Sequence, residues 1–412
     1  MEPGFLSRTE VRLRRVAAMA CVIGASALSL AVANGESQSL AEGMAKTNPV
    51  PIQYVGITTN EIWVPDLSEA ESRAKEIADT GANAVRIFLP YSPTQAESIN
   101  DRARTCNAAQ AAKDNNLHLT LGTLGVFRDG RVGFVPQTSS AVTKFETTLG
   151  DYMNILSGPN ACVSDFTKYD IEILNEVNSN TFFKPQYNSA GDWSAPGQYL
   201  NLMERVYPFI KTEAAKISEA ARRKNPNLPP LDITVIGGAL ASSHDPVGFI
   251  RQMGKAAKFS RLNTPIMDVL SFHSYSLGSM NSAEVEAQLA PKLEKAFQEA
   301  FGYPIDMYND EFGDHTSPPT SKRSLYSGQP ASSKNFISES AQAMRVRNTL
   351  AVAACQPYLK MVLTFGLRDE TDLENGWQAG PEYVDGSHKS SWDSINQSIR
   401  AALSGQLDDC SK

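Results

Sequence analysis

Eight apolar, β-rich runs alternating with eight helical stretches predict an α/β fold, a closed (β/α)8 barrel in a single domain. Three observations carry this. The alternation of strand and helix is strict through eight units. Several runs are apolar on both faces, as strands buried on both sides must be. No linker rich in Pro, Gly or Ser is long enough to divide the chain. A doubly wound open sheet usually has fewer strands and a Gly-rich first turn, and no such turn follows Ile57.

The elements follow in order from the change of period along the chain. The first strand is predicted at 52–57 and its helix at 67–79, stopped by Thr80-Gly81-Ala82-Asn83. Strand 84–89 carries Arg86 and precedes helix 96–113. Strand 117–122 is followed by helix 141–156, and strand 169–174 by helix 197–224. The second half repeats the pattern with strand 231–236 and helix 246–259, strand 267–272 and helix 282–301, strand 304–308 and helix 333–354, and strand 359–365 and helix 391–403. Length beyond the ~250 residues typical of such barrels falls in long loops after strands, at 177–196, 312–330 and 368–390. In this architecture those loops open on the C-terminal face of the barrel, where chemistry is done.

The N-terminus reads as an export signal. A basic stretch (Arg8, Arg12, Arg14, Arg15) precedes an uncharged run, 16–33, that ends in the small-x-small pattern Ala31-Val32-Ala33. An uncleaved anchor competes with this reading, because the run approaches the ~18 residues that suggest a span. Its many Ala, Ser and Gly residues and its Ala-x-Ala ending favour cleavage. Cys21 lies too close to Arg15 for a convincing lipoprotein signal. The expected division is a signal peptide at 1–33, an extension at 34–50 and the barrel at 51–412, in an exported protein, secreted or periplasmic.

Removing 1–33 takes away four of the 38 basic side chains and two of the 45 acidic ones, leaving 34 against 43 and a net charge of −9. Such a surface disfavours nucleic acid and, once the signal is cleaved, anionic membrane as partners. It suits a monomer acting on a neutral ligand. Four cysteines remain, Cys106, Cys162, Cys355 and Cys410, without a Cys-x-x-Cys pair. In an oxidising compartment they predict two disulfides with three possible connectivities. The barrel narrows the choice: Cys355 closes the seventh helix and Cys410 lies just past the eighth, and those ends are neighbours. The expected bridges are therefore Cys355–Cys410 and Cys106–Cys162.

Two glutamates end strand-like runs: Glu176 after Tyr169-Asp170-Ile171-Glu172-Ile173-Leu174-Asn175, and Glu311 after Pro304-Ile305-Asp306-Met307-Tyr308-Asn309-Asp310. A carboxylate at the tip of a buried apolar strand costs several kcal/mol or shifts its pKa, so it is poorly explained as structure. Two such tips can supply the acid and the nucleophile that cleavage of a glycosidic bond requires. Arg86 on the second strand and His273-Ser274-Tyr275 ending the sixth complete a chemically unusual set.

The stretch Ile171-Glu172-Ile173-Leu174-Asn175-Glu176 resembles the glutamate-x-x-Asn-Glu strand of clan A glycoside hydrolases. His273 and Tyr275 match that clan's His-x-Tyr on strand six, and Arg86 its strand-two arginine. The resemblance covers the chain from about Pro51 to Ala402 and points to the broad cellulase-like family. It implies a retaining enzyme without metal or organic cofactor, acting on a carbohydrate. Glu176 is then the general acid and base, Glu311 the nucleophile, and Asn175 the partner of the sugar 2-hydroxyl. Arg86, His273 and Tyr275 keep Glu311 ionised. Retention requires the two carboxyl groups to stand ~5–6 Å apart.

The sequence departs from that pattern in three places. Val177 follows the Asn-Glu pair where proline is frequent, strand eight lacks a tryptophan, and Asp310 precedes Glu311 where a small or neutral residue is usual. Phe365, or Trp377 from the following loop, is the candidate floor of the sugar subsite. Strand alternation predicts that Asp310 points away from the lumen. Glu172, four residues deeper than Glu176, is expected to serve barrel structure. Trp63, Trp193 and Trp377 are candidate stacking platforms; Trp392 is expected in the core.

Other chemistries lack their residues. The five histidines are scattered, without His-x-His or His-Glu-x-x-His. Lys360 sits at the wrong end of strand eight for Schiff-base chemistry. No Gly-x-Ser-x-Gly elbow or phosphate loop is present. The rival from another class is a carbohydrate-binding barrel that has lost catalysis.

Overall fold

The computed structural model describes residues 48–92, 99–126, 132–260, 264–331, 334–408 and 410. The expected signal at 1–33 and residues 34–47 of the extension lie outside them. Eight parallel strands close on themselves in chain order: β1 Tyr54–Thr58, β2 Ala84–Tyr91, β3 His118–Gly125, β4 Lys168–Ile173, β5 Asp232–Ala241, β6 Val269–His273, β7 Asp306–Phe312 and β8 Leu359–Phe365. β8 returns to pair with β1 from Tyr54↔Met361 to Thr58↔Phe365. The helices between and after them are α1 Leu67–Asp79, α2 Ile99–Asp114, α3 Ser139–Ser157, α4 Ala195–Lys224, α5 Pro246–Ser260, α6 Ser282–Phe301, α7 Glu339–Ala354 and α8 Trp392–Ser404. This is the expected (β/α)8 barrel. Among the described residues no helix is long and apolar enough to cross a membrane.

Capping explains where helices begin. Thr138 accepts from Ala141 N and starts α3 ahead of the apolar pattern, while Asn281 and Glu284 form a reciprocal capping box at α6. Ser338 accepts from Ala341 N, so α7 starts at Glu339 rather than at 333. Of the expected start of the second helix, 96–98 lie outside the described residues.

β2, β3, β5 and β7 run past their expected ends to Tyr91, Gly125, Ala241 and Phe312. The added residues include Gly125, Gly237, Gly238, Asn309, Asp310 and Glu311, small or polar ones that hide the end of the strand from a reading of apolar runs. The outer face of the strands, including Val85, Ile87, Leu119, Leu121, Ile171 and Val235, packs under the helices in one continuous core. Each such fully buried side chain contributes about 1.5–3 kcal/mol by leaving water. The lumen is plugged below by Ala84, Ile236, Val269, Tyr308, Met361 and Leu363, with Tyr54 against them. Above this floor, toward the C-terminal mouth, lie Arg86, Glu172, His273, Asp310 and Glu311, while Asp170, with His118 and Thr120, sits at the floor itself. Two disulfides, Cys106–Cys162 and Cys355–Cys410, have the expected pairing.

Candidate active site

Arg86 organises the mouth. It lies on β2, has no solvent exposure, and its guanidinium rests 4.4 Å from the centre of the Phe88 ring. Its Nε donates to Glu172 Oε2 at 2.5 Å and its Nη2 to Glu172 Oε1 at 2.9 Å. Nη1 donates to Glu311 Oε1 at 2.6 Å, and Nη2 also to Asn175 Oδ1 at 2.9 Å. Asp310 Oδ2 stands 3.3 Å from Nε. A planar fork of five donors suits this arrangement; a lysine ammonium cannot reproduce it. Glycine at 122 on β3 makes room, since a Cβ there would stand 3.2 Å from Arg86 Nε and 3.4 Å from Glu172 Oε2.

β4 ends at Ile173, and Glu176 stands in the turn that follows. Leu174 (φ 65°) and Glu176 (φ 42°) both occupy the left-handed region, which costs a non-glycine residue on the order of 1–3 kcal/mol. Such strain persists where the surroundings impose it, and here it turns the Glu176 carboxyl into the lumen beside His273. His273 Nδ1 lies 3.1 Å from Glu176 Oε1 and 3.6 Å from Glu311 Oε2. The two oxygens thus stand less than about 7 Å apart. Tyr275 donates its hydroxyl to Glu311 Oε2 at 2.9 Å.

Asp310 corrects one expectation. It points into the lumen, in phase with Tyr308 beneath it, and not away from it. β6 and β7 pair Phe272 with Asn309 and then His273 with Glu311, so one residue is skipped. This bulge returns Glu311 to the same side as Asp310, and both carboxylates face inward. Asp310 accepts a short hydrogen bond from Ser271, lies 3.3 Å from His273 Nε2, and its main-chain oxygen accepts from Thr58 Oγ1 at 2.6 Å. Glu172 is likewise inside, beneath Glu176, as an ion-pair partner.

The electrostatics follow from burial and from these pairings. Burial raises the Glu176 carboxyl above the usual carboxylate range, with His273 pulling against it. Burial also lifts Glu172, to about 8, against the pull of Arg86. Desolvation alone would lower His273, but Glu311, Asp310 and Glu176 outweigh it and raise the imidazole to about 10. Burial works against ionisation of Asp310 too, yet Arg86 and His273 hold it at about 2. His273 was expected to serve Glu311; its Nδ1 stands nearer to Glu176.

The aromatic candidates separate. Trp377 reaches from the loop after β8 into a cluster with Phe88 and Phe365, and Tyr275 packs on it. Its ring is 5.1 Å from Tyr275 and 4.5 Å from His315, stacked. Phe365 and Trp377 together stand where a strand-eight tryptophan is missing. Trp63 donates to Thr105 Oγ1 of α2 and carries Arg104 over its ring, so it anchors a loop to the helix layer. Trp193 is half-buried against Phe249 and Tyr187 and donates to Gln186 Oε1, which ties the loop after β4 together. Trp392 is buried against His388.

No protein-family model matches the chain, and no curated protein matches it in sequence. Many solved structures share its fold. One is a family 39 glycoside hydrolase from Bacteroides cellulosilyticus WH2, at 14% identity and TM-score 0.51, over 85% of this chain and 64% of that one. Another is GH5_18 from Streptomyces cattleya in complex with GlcNAc, at 14% identity and TM-score 0.54, over 86% of this chain and 81% of that one. A third is Bacteroides uniformis beta-glucuronidase, at 12% identity and TM-score 0.51, over 86% of this chain but 35% of that one. At these identities the likeness is one of fold.

Proposed function

We propose that this chain is a retaining β-glycoside hydrolase, in the clan A manner, that cleaves a β-linked oligo- or polysaccharide through a covalent glycosyl-enzyme. The observation that carries the reading is the pair Glu176 and Glu311, both facing one nitrogen of His273 at the mouth of the barrel. With both carboxylates within reach of one imidazole nitrogen, their separation is bounded at under about 7 Å, which admits the ~5–5.5 Å of retaining enzymes. Solved glycoside hydrolases with the same barrel, which are similar in fold and distant in sequence, agree with it.

Glu311 attacks the anomeric carbon while Glu176 gives its proton to the departing glycosidic oxygen. Glu176, now a carboxylate, takes a proton from water, and that water releases the sugar from Glu311. Arg86 and Tyr275 each hold one oxygen of Glu311, which orients the carboxylate. The desolvated surroundings of Glu176 keep a proton available for the leaving group. Asn175, already anchored by Arg86 through Oδ1, has its amide nitrogen for the sugar 2-hydroxyl. The Phe365–Trp377–Tyr275 surface supplies the apolar face against which a pyranose packs. The two disulfides fit an oxidising compartment, in line with an exported enzyme.

The test is a panel of chromogenic aryl β-glycosides and β-glycan polymers, run on the wild type and on Glu311→Ala. Turnover of at least one member by the wild type and its loss in Glu311→Ala supports the reading. Binding of glycans with no turnover of any of them favours a silent carbohydrate-binding barrel.

A further inference from the structure

His273 is the imidazole beside the two glutamates, and both of its nitrogens meet carboxylates. Nδ1 faces Glu176 and Glu311, and Nε2 stands 3.3 Å from Asp310 Oδ1. A neutral ring would set its one lone pair against an anion, Glu311 if Nε2 carries the proton and Asp310 if Nδ1 does; only the doubly protonated ring presents a donor on each side. Asp310 is fixed for this task by three contacts of its own. Ser271 donates to Oδ1, Arg86 Nε lies 3.3 Å from Oδ2, and Thr58 holds the main chain. The bulge at β7 puts an additional carboxylate behind the pair that the reaction needs, and no proton transfer to substrate requires it.

We propose that Asp310 is a positioning residue: by facing Nε2 it fixes the plane and the charge of the His273 ring, so that a single Nδ1–H is shared between Glu176 and Glu311. The ring then has a consequence for each carboxylate. It presents a positive charge to Glu311, and it opposes the burial that raises Glu176, so the acid keeps its proton without holding it too firmly. The groups that face the ring set its titration together: Glu176 from the turn after β4, Asp310 and Glu311 from β7, and Tyr275 from the segment after β6. Arg86 from β2 acts through Asp310, Glu172 from β4 interacts with both Asp310 and the ring, and His244 from the loop after β5 acts on Glu176. The consequence for the reaction rests on the hydrolase reading. The charge and orientation of the ring do not.

The experiment follows that division. Ring 15N shifts of histidine-labelled protein are recorded from pH 6 to 10; the chain has five histidines, and His273→Gln identifies the signal. In the wild type the His273 ring should remain doubly protonated past pH 8. In Asp310→Asn, a near-isosteric change, the midpoint should fall by about one pH unit or more, as for loss of an opposite charge at this range. Ser271→Ala, which keeps the carboxylate but frees it, should lower the midpoint by a smaller amount, about threefold in proton affinity, and serves if Asp310→Asn does not fold. A ring singly protonated at pH 8 in the wild type, or a midpoint that neither variant moves, overturns the proposal. With a substrate in hand, Asp310→Asn should shift the alkaline limb of kcat/KM downward in step with the ring; a uniform loss at all pH values would mark Asp310 as structural only. Because the ring titration needs no turnover, failure of the hydrolase reading leaves it interpretable.

Discussion

Arg86 shows how much one side chain is asked to do. Its guanidinium contacts Glu172, Asp310, Glu311 and Asn175 with no solvent to share the load. Charged hydrogen bonds are worth about 1.5–3 kcal/mol each, and an ammonium can serve only part of this set. Arg86→Lys should therefore lower kcat/KM on any hydrolysed glycoside by at least about 10²-fold, read by steady-state kinetics; a loss within about threefold would remove Arg86 from the account. The same scale tells what the sequence could and could not disclose. Glu176, Glu311, Arg86, His273 and Tyr275 were legible because a charge or ring at a strand tip has no cheap structural reason, and all five meet in one place. Asp310 was misread because alternation assumes an unbroken ladder, and the skip between Asn309 and Glu311 leaves no mark in the residues themselves. Trp63 was open to two readings because an indole in a loop looks the same whether it faces a ligand or a neighbouring helix.

At the scale of elements, the strands are tuned to the site they carry. Gly122 gives Arg86 and Glu172 their space, and a side chain there must move groups wedged on every side. Gly122→Val should lower kcat/KM at least as far as Arg86→Lys while leaving a folded protein by circular dichroism. Unchanged kinetics would show that the lumen yields more easily than its packing implies. Behind the bulge, Glu286 on α6 accepts from Asn309 of β7, which also donates to Ser274, so a helix is pinned to the point where the ladder slips. None of this was readable: the apolar stripe of α6 predicts a helix but not the buried carboxylate within it. The disulfides were readable once the barrel was, because α7 and α8 are neighbours by topology. Cys355–Cys410 closes a sequence separation of 55. Replacing both cysteines by serine should cost about 2–5 kcal/mol in denaturant unfolding; a loss below about 0.5 kcal/mol would mean that the bridge constrains little.

For the molecule as a whole, the buried titratable groups shape stability against pH. Burial holds Glu286 at about 8 in the folded state, far above an unfolded glutamate, so its contribution is present below about pH 4.5 and is lost as pH rises toward 8. His273, raised to about 10, adds a loss between about pH 6.5 and 10. His315 acts oppositely: burial, with Lys334 and Lys389 nearby, lowers it to about 3, so its contribution is present above pH 6.5 and lost as pH falls. Melting temperature should decline above neutrality, and Glu286→Gln should flatten the decline between about pH 5 and 8. A steeper decline in that variant would contradict the assignment. The closed barrel and its strand order were visible in the alternation of periods, because a parallel strand buried on both faces has few other ways to be written.

The central claim is that Glu311 is the nucleophile and Glu176 the acid and base. It is tested most directly by the product that each alanine variant makes with azide and an activated aryl β-glycoside. Glu311→Ala should be rescued to give the α-glycosyl azide, with inversion, because azide attacks the bound glycoside directly. Glu176→Ala should still form the glycosyl-enzyme when the leaving group needs no proton, help worth roughly 10²–10⁴-fold otherwise, and should yield the β-glycosyl azide with retention. The reverse pairing of stereochemistry and variant, or an α-azide from Asp310→Ala with Glu311→Ala fully active, would contradict it.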